Sequence, residues 1–301
     1  MFRNLFIVLL IFCASNLLAQ AEVVVLGTVQ DGGAPHIMCL KKCCINLSPE
    51  EKSARQVTAL GLSFGSTEYY LFEASPDITL QMQHMHALGH INLAGIFLTH
   101  AHIGHYMGLL YLGREAWGAK KIPVYAMPKL RSFLKGNGPW SQLLDLENIS
   151  LQELENEKHQ QLPHGIKVIP FVVPHRDEFS ETVGYYIAGP NKTALFLPDI
   201  DKWNKWGKDI AEVIKKVDYA FIDASFYDAA EINYRPIAEI PHPFVIETLE
   251  QLNELEDNDR KKVFFIHMNH TNPMLDPESE ATKRVRTLGF SVARIGDTFS
   301  L

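Results

Sequence analysis

Cationic charge is in deficit: 28 Lys and Arg stand against 35 Asp and Glu, a formal charge of −7. That balance repels a phosphate backbone, so nucleic acid is excluded as the main partner. Cysteine is scarce, four in 301 residues, and a chain of this length can bury an adequate core without disulfide staples. Charged residues make up 21% against 47% hydrophobic ones, which excludes intrinsic disorder as the main state. Repeats, low-complexity tracts and Ser/Gly linkers are missing, so one domain over 22–301 is expected. Beyond the N-terminus no apolar run approaches the roughly 20 residues a bilayer span needs, so stable membrane insertion is not expected.

The N-terminus itself reads as a secretory leader over 1–21. Arg3 precedes an apolar run from Leu5 to Cys13, and Ala19 and Ala21 have the spacing of a cleavage site before Glu22. Ser15, Asn16 and Gln20 interrupt the stretch, which argues against a retained anchor. A periplasmic or secreted location is therefore expected.

Cys13 would leave with the leader, so Cys39, Cys43 and Cys44 remain. Their clustering suits a three-thiolate metal site, because Zn–S bonds need several sulfurs converging on one point, and His36 is the candidate fourth ligand. One bridge plus a free thiol, or buried thiols acting as small apolar residues, are the alternatives.

Apolar periodicity predicts strands at 22–26, 59–72 (a hairpin pair), 95–98, 123–126, 166–173, 182–187, 193–197, 219–222 and 263–266. Helices are expected over 77–88, 107–117, 208–217, 243–255 and near 277–287. Strands dominate early and alternate with helices late, a pattern of two packed sheets covered by helices.

The strongest signal is Thr99–His105, THAHIGH. His100 and His102 project to one side at a strand end, and His105 follows as the chain turns into a helix. Three imidazoles so placed form a site for zinc or iron. His175, Asp199 and His267 each follow a later strand, where open sheets collect functional residues.

This HxHxxH turn, followed by strand-end His, Asp and His, resembles the metallo-β-lactamase superfamily. The stretches LGTVQDGGAPHIMC, ASPDITLQ, THAHIGH and IHMNHTNPMLD are similar, within it, to the coenzyme PQQ synthesis protein B family. The resemblance implies an α+β fold, an αββα sandwich of two mixed β-sheets flanked by helices. It also implies His100, His102 and His175 at a first metal position, His105 and His267 at a second, and Asp199 bridging them. Such cations lower the pKa of a bridging water and polarise the bond attacked. The chain departs from the usual HxHxDH motif at Gly104, which has no ligand to offer. A neighbour such as His36 or His270 fills the place, or the site holds one metal, or it favours another metal such as iron.

His270 and His242 are further candidates for the chemistry, with Asp199. Asn269, Thr271 and Asn272 read as turn formers or ligand-orienting groups. Asp77 reads as a helix cap or ligand orienter. Tyr106, Phe226, Tyr227 and the loop Gly136–Trp140 are candidate pocket walls. His84, His86 and His90 read as a helix surface, and His159 and His164 as a solvated stretch. The expectation is an exported, zinc-dependent hydrolase of a small-molecule ester, amide, lactam or phosphodiester. The alternatives are an Fe2+-dependent oxidative enzyme, as the second resemblance implies, and a non-catalytic metal-binding protein.

Overall fold

The computed structural model describes residues 21–65, 67–176, 178–232 and 236–301. The first sheet receives β1 (Ala21–Gly27), β2 (Ala59–Phe64), β3 (Glu68–Phe72), β4 (Asn92–Phe97), β5 (Ile122–Ala126) and β6 (Ile149–Glu153). The second receives β7 (Gln160–Gln161), β8 (Lys167–Val172), β9 (Val183–Ala188), β10 (Thr193–Leu197), β11 (Tyr219–Asp223), β12 (Val263–Ile266) and β13 (Ser291–Val292). The chain then returns to the first sheet with β14 (Thr298–Ser300), antiparallel to β1. Spatial orders are β14-β1-β2-β3-β4-β5-β6 and β13-β12-β11-β10-β9-β8-β7. Both sheets are mixed: β3 to β6 and β10 to β13 run parallel, the remaining pairs antiparallel.

Alternation along the strands explains the layering. Ala194 and Phe196 of β10 face the inter-sheet core with Phe72, Phe97, Tyr185 and Phe221. Leu195 and Leu197 face outward, against the helices Ile210–Ile214 and Val245–Gln251. A strand buried on both faces must be apolar at every position, which is why β10 reads as the unbroken run Ala194–Leu197. On the first sheet, Ile96 and Leu98 pack under the helix Ile78–Ala87 and the 3-10 turn Met107–Leu112. Helix, sheet, sheet, helix is the expected αββα sandwich.

Several local expectations shift. The helix expected over 107–117 is a short helix, Ile103–Tyr106, followed by the 3-10 turn, because Gly108 and Gly113 shorten it. Helices Pro128–Gly136 and Trp140–Asp145 flank the expected turn at 136–140, and neither they nor β6 were predicted. Residues 1–20 of the expected leader lie outside the described residues. Ala21 is buried in β1, pairs with Phe64 and accepts a hydrogen bond from Leu301 N at 2.7 Å. Among the described residues no helix is long and apolar enough to cross a membrane.

β1 runs antiparallel to β2, and β2 to β3, so β1, β3 and β4 end at the same sheet edge. In the second sheet β10, β11 and β12 also end together. These carboxyl ends bring the polar side chains to one place.

Candidate metal centre

β4 ends at Phe97, and the following Thr99 orients two rings at once. Its Oγ1 lies 2.8 Å from His100 Nδ1 and 3.4 Å from His105 Nδ1. His102 occupies the N-cap of the helix Ile103–Tyr106, whose single turn carries His105 back beside His100, with ring centroids 4.1 Å apart.

Asp199, two residues past β10, is the hub. Its Oδ2 lies 3.4 Å from both His100 Nε2 and His105 Nε2 and 3.6 Å from His267 Nε2. Its Oδ1 lies 3.3 Å from His175 Nε2 and 3.2 Å from His242 Nδ1. Burial pushes this carboxyl up, but the surrounding imidazoles of His175, His267 and His242 outweigh it and hold it well below the ordinary carboxylate range. Three donor quartets share the hub: a first of His100, His102, His175 and Asp199, a second of Asp31, His105, Asp199 and His267, and a third of Asp199, Asp223, His242 and His267. Within each, the donor atoms lie within 4.8 Å of one another.

The residues fit cations better than they fit each other. His175 Nε2, which faces Asp199, together with Asp199 Oδ1 and His267 Nε2, is buried without a hydrogen-bond partner. Orphaned acceptors converging on a common point in a dry site are what a divalent ion satisfies. Burial drives the His100 ring well below its ordinary pKa and the His175 ring down to about 4, so both favour the neutral, ligating form. The His102 and Asp31 side chains are 14% and 20% exposed, whereas those of His100, His105, His175, His267 and Asp199 are at most 2% exposed, so the centre opens past His102 and Asp31.

Supporting groups that sequence reasoning missed surround these. Glu73 Oε1 lies 3.1 Å from His105 Nδ1, and its Oε2 accepts from Thr99 N at 3.2 Å. Burial lowers the His105 ring's basicity, but the Glu73 and Asp31 carboxylates more than offset this and raise it well above its ordinary value. Glu73 and His267 both hold positive φ, 82° and 65°, a strained conformation for residues with side chains. Asp223, at the end of β11, accepts from Ser225 N and Oγ through Oδ1, both at 2.8 Å, and from His242 Nδ1 through Oδ2 at 2.9 Å. Its carboxylate and that of Asp199 overcome the effect of burial and raise His242 to about 9.

A second donor group lies nearby. Cys39, Cys43 and Cys44 are all free thiols, and with His270 they form a quartet whose donors also lie within 4.8 Å of one another. Mutual hydrogen bonding with Cys44 lowers the Cys39 thiol, while burial pushes Cys44 up to about 12. A bound cation would deprotonate both.

The chain matches the family model described as "Beta-lactamase superfamily domain" over residues 68–268, more than half its length. The chain belongs to the metallo-β-lactamase superfamily. Its superfamily relatives include coenzyme PQQ synthesis protein B of Rhizobium meliloti, 25% identical over 93% of this chain and 98% of that one. The same protein of Nitrosococcus oceani is 24% identical over 89% and 96%. The fold resembles Zn2+-bound PqqB from Methylobacterium extorquens, with a TM-score of 0.75 and 22% identity over 93% of this chain and 100% of that one. It also resembles a diphosphatase from the PhnP family, with a TM-score of 0.69 and 22% identity over 94% and 98%.

Against the superfamily motif, the structure brings His100, His102, His105, His175, Asp199 and His267 together. It does not leave the place at Gly104 to His36 or His270: Asp31 reaches it, with Oδ1 3.0 Å from His105 Nε2 and 3.4 Å from His267 Nε2. Nor does His36 complete the cysteine quartet. His270 does, and His36 stacks on it with ring centroids 3.7 Å apart. His270 joins the cysteine quartet and none of the quartets around Asp199. Asn269 Oδ1 lies 2.9 Å from His270 Nδ1, and Asn272 forms a turn by accepting from Met274 N. Asp77 occupies the N-cap of its helix but makes no side-chain capping bond; its carboxylate accepts from Val57 N at 2.7 Å instead. Asp31 had a legible signal, the strand-end placement after β1 that marked the other ligands.

Proposed function

We propose that this chain is a metal-dependent hydrolase acting on a small-molecule ester, amide, lactam or phosphodiester, and that its leader exports it. The single observation that carries the hydrolytic reading is that the first and second donor quartets share Asp199. When bound there, divalent cations supply an activated water near neutral pH and polarise the carbonyl or phosphoryl oxygen under attack.

The chain's own residues do the rest. Asp199 sets the spacing of the two quartets, and Glu73 and Thr99 fix the His105 and His100 rings. Asp223 holds His242 beside Asp199, where an imidazolium can give a proton to a departing group. Near the His102 opening, Tyr106, Phe133, Trp140 and Phe179 form a chain of ring contacts at 4.9 to 5.9 Å, a wall suited to an apolar part of the substrate. The cysteine quartet serves as a structural zinc site, since four protein donors leave no open position.

A second reading, an Fe2+-dependent oxidative enzyme, is favoured by the similarity to coenzyme PQQ synthesis protein B along most of the chain. Anomalous scattering from crystals above and below the zinc and iron edges separates the two. Two zinc peaks at the histidine centre, with turnover of a chromogenic ester or phosphodiester, support hydrolysis. A single iron peak with oxygen consumption and no hydrolysis overturns it.

A further inference from the structure

The residue that takes the place of the absent motif aspartate lies on a loop whose other end carries the cysteine quartet. A Cβ built at Gly104 would lie 2.5 Å from both Asp31 Cα and Asp31 Oδ1, and 3.0 Å from its Cβ. Backbone as well as side chain fills that space, so a side chain at 104 and Asp31 in its present place are mutually exclusive. Glycine at 104 is therefore one half of an exchange, and Asp31 is the other.

What holds Asp31 there is a continuous set of contacts. Gln30 N donates to Met268 O at 2.9 Å, tying the loop's start to the residue after His267. A Cβ at Gly32 would lie 2.7 Å from His36 Nε2, so His36 packs directly on the residue following Asp31. The His36 ring stacks on His270, the histidine of the cysteine quartet. Val29 and Ala34 anchor the loop's start against Val57. Beyond His36 it has no such anchor: Ile37, Met38 and Leu40 are 93%, 87% and 76% exposed and contribute no core.

We propose that Asp31 is the second-position carboxylate of the histidine centre, exchanged for the ligand missing at 104, and that an ion in the Cys39–Cys43–Cys44–His270 quartet holds it in place through His36. The two sites are thereby coupled: losing the thiolate-bound ion loosens the loop and weakens the second position, while the first quartet, which draws nothing from this loop, keeps its affinity. The inference rests on the reading that the histidine centre binds cations.

The test is metal titration of chelator-stripped full chain with Zn2+ alone, followed by calorimetry, and with Co2+ alone, followed by absorption. Thiolate-to-cobalt charge transfer reports the cysteine quartet separately from the histidine centre. The unaltered chain should bind two ions at the histidine centre and one at the thiolates. Asp31→Asn should retain the thiolate ion and one histidine-centre ion while weakening the other on the order of 10- to 100-fold. The double variant Cys39→Ser/Cys43→Ser should lose the charge-transfer band and weaken the same second ion. Retention of the thiolate charge-transfer band in Asp31→Asn, and of the first histidine-centre ion in the cysteine variant, guards against misfolding of either variant. Unchanged second-ion affinity in Asp31→Asn overturns the exchange, and unchanged affinity in the cysteine variant overturns the coupling. A histidine centre that binds no ion in the unaltered chain overturns both, together with the metal-centre reading.

Discussion

Asp223 Oδ2 lies 2.9 Å from His242 Nδ1, and both side chains are buried against Asp199. The carboxylate's other oxygen is taken up by Ser225 N and Oγ, so Asp223 cannot turn away from the imidazole. On the proposed hydrolytic reading, an Asp–His pair fixed in this way serves as a proton donor whose orientation is set before substrate arrives.

For that reason Asp223→Asn should cut kcat by about 10²- to 10⁴-fold on substrates with basic leaving groups, the range of a general acid. The loss should be much smaller for a p-nitrophenolate leaving group, which needs no proton. Equal losses on both substrates would show that His242 does not act as the acid.

Within the first quartet, His102 is the donor nearest solvent and contributes least to the buried core. His102→Ala should therefore abolish hydrolysis and first-quartet metal binding while leaving the circular dichroism spectrum and thermal midpoint of the metal-free chain nearly unchanged. Undiminished turnover would sink the assignment of the site.

Metal removal should destabilise the fold. Ligands that bind only the native state stabilise it by RT ln(1 + [L]/Kd), about 4 kcal/mol when free metal is a thousandfold above Kd. Chelation should lower the thermal midpoint, and Zn2+ should restore it in proportion to the logarithm of its concentration. A midpoint indifferent to chelator would contradict the fit of the orphaned donors to a cation.

Glu231 gives a pH signature. Burial raises its carboxyl from 4.5 to about 7, although it accepts hydrogen bonds from Thr271 Oγ1 and Tyr227 N. A group raised on folding contributes stability that is present below the unfolded value and lost as pH climbs through the folded one. Stability of the metal-free chain should thus fall between pH 4.5 and about 7 by up to a few kcal/mol, and Glu231→Gln should flatten that slope. Denaturant unfolding at several pH values reads it directly.

The histidine centre was legible where its ligands are local or marked by a repeated rule. THAHIGH shows three donors within one turn, and His175, Asp199 and His267 each stand just past an apolar strand. His36 against His270 was not legible, because nearness in sequence to Cys39 carries no information about which imidazole the turn after β12 delivers to the thiols. Helix Pro128–Gly136 and β6 were missed because their polar faces interrupt the apolar pattern.

By itself, then, the order of residues determined a two-sheet pattern and six candidate ligands of the histidine centre, through periodicity, strand-end placement and the motif that carries the superfamily resemblance, all properties of short segments. The tertiary structure alone decided what answers Gly104. Asp31 lies far from it in the chain, and only the antiparallel course of β1 and β2 carries its loop to the same edge as His105. Proximity across a sheet depends on strand order and direction, which no local pattern encodes.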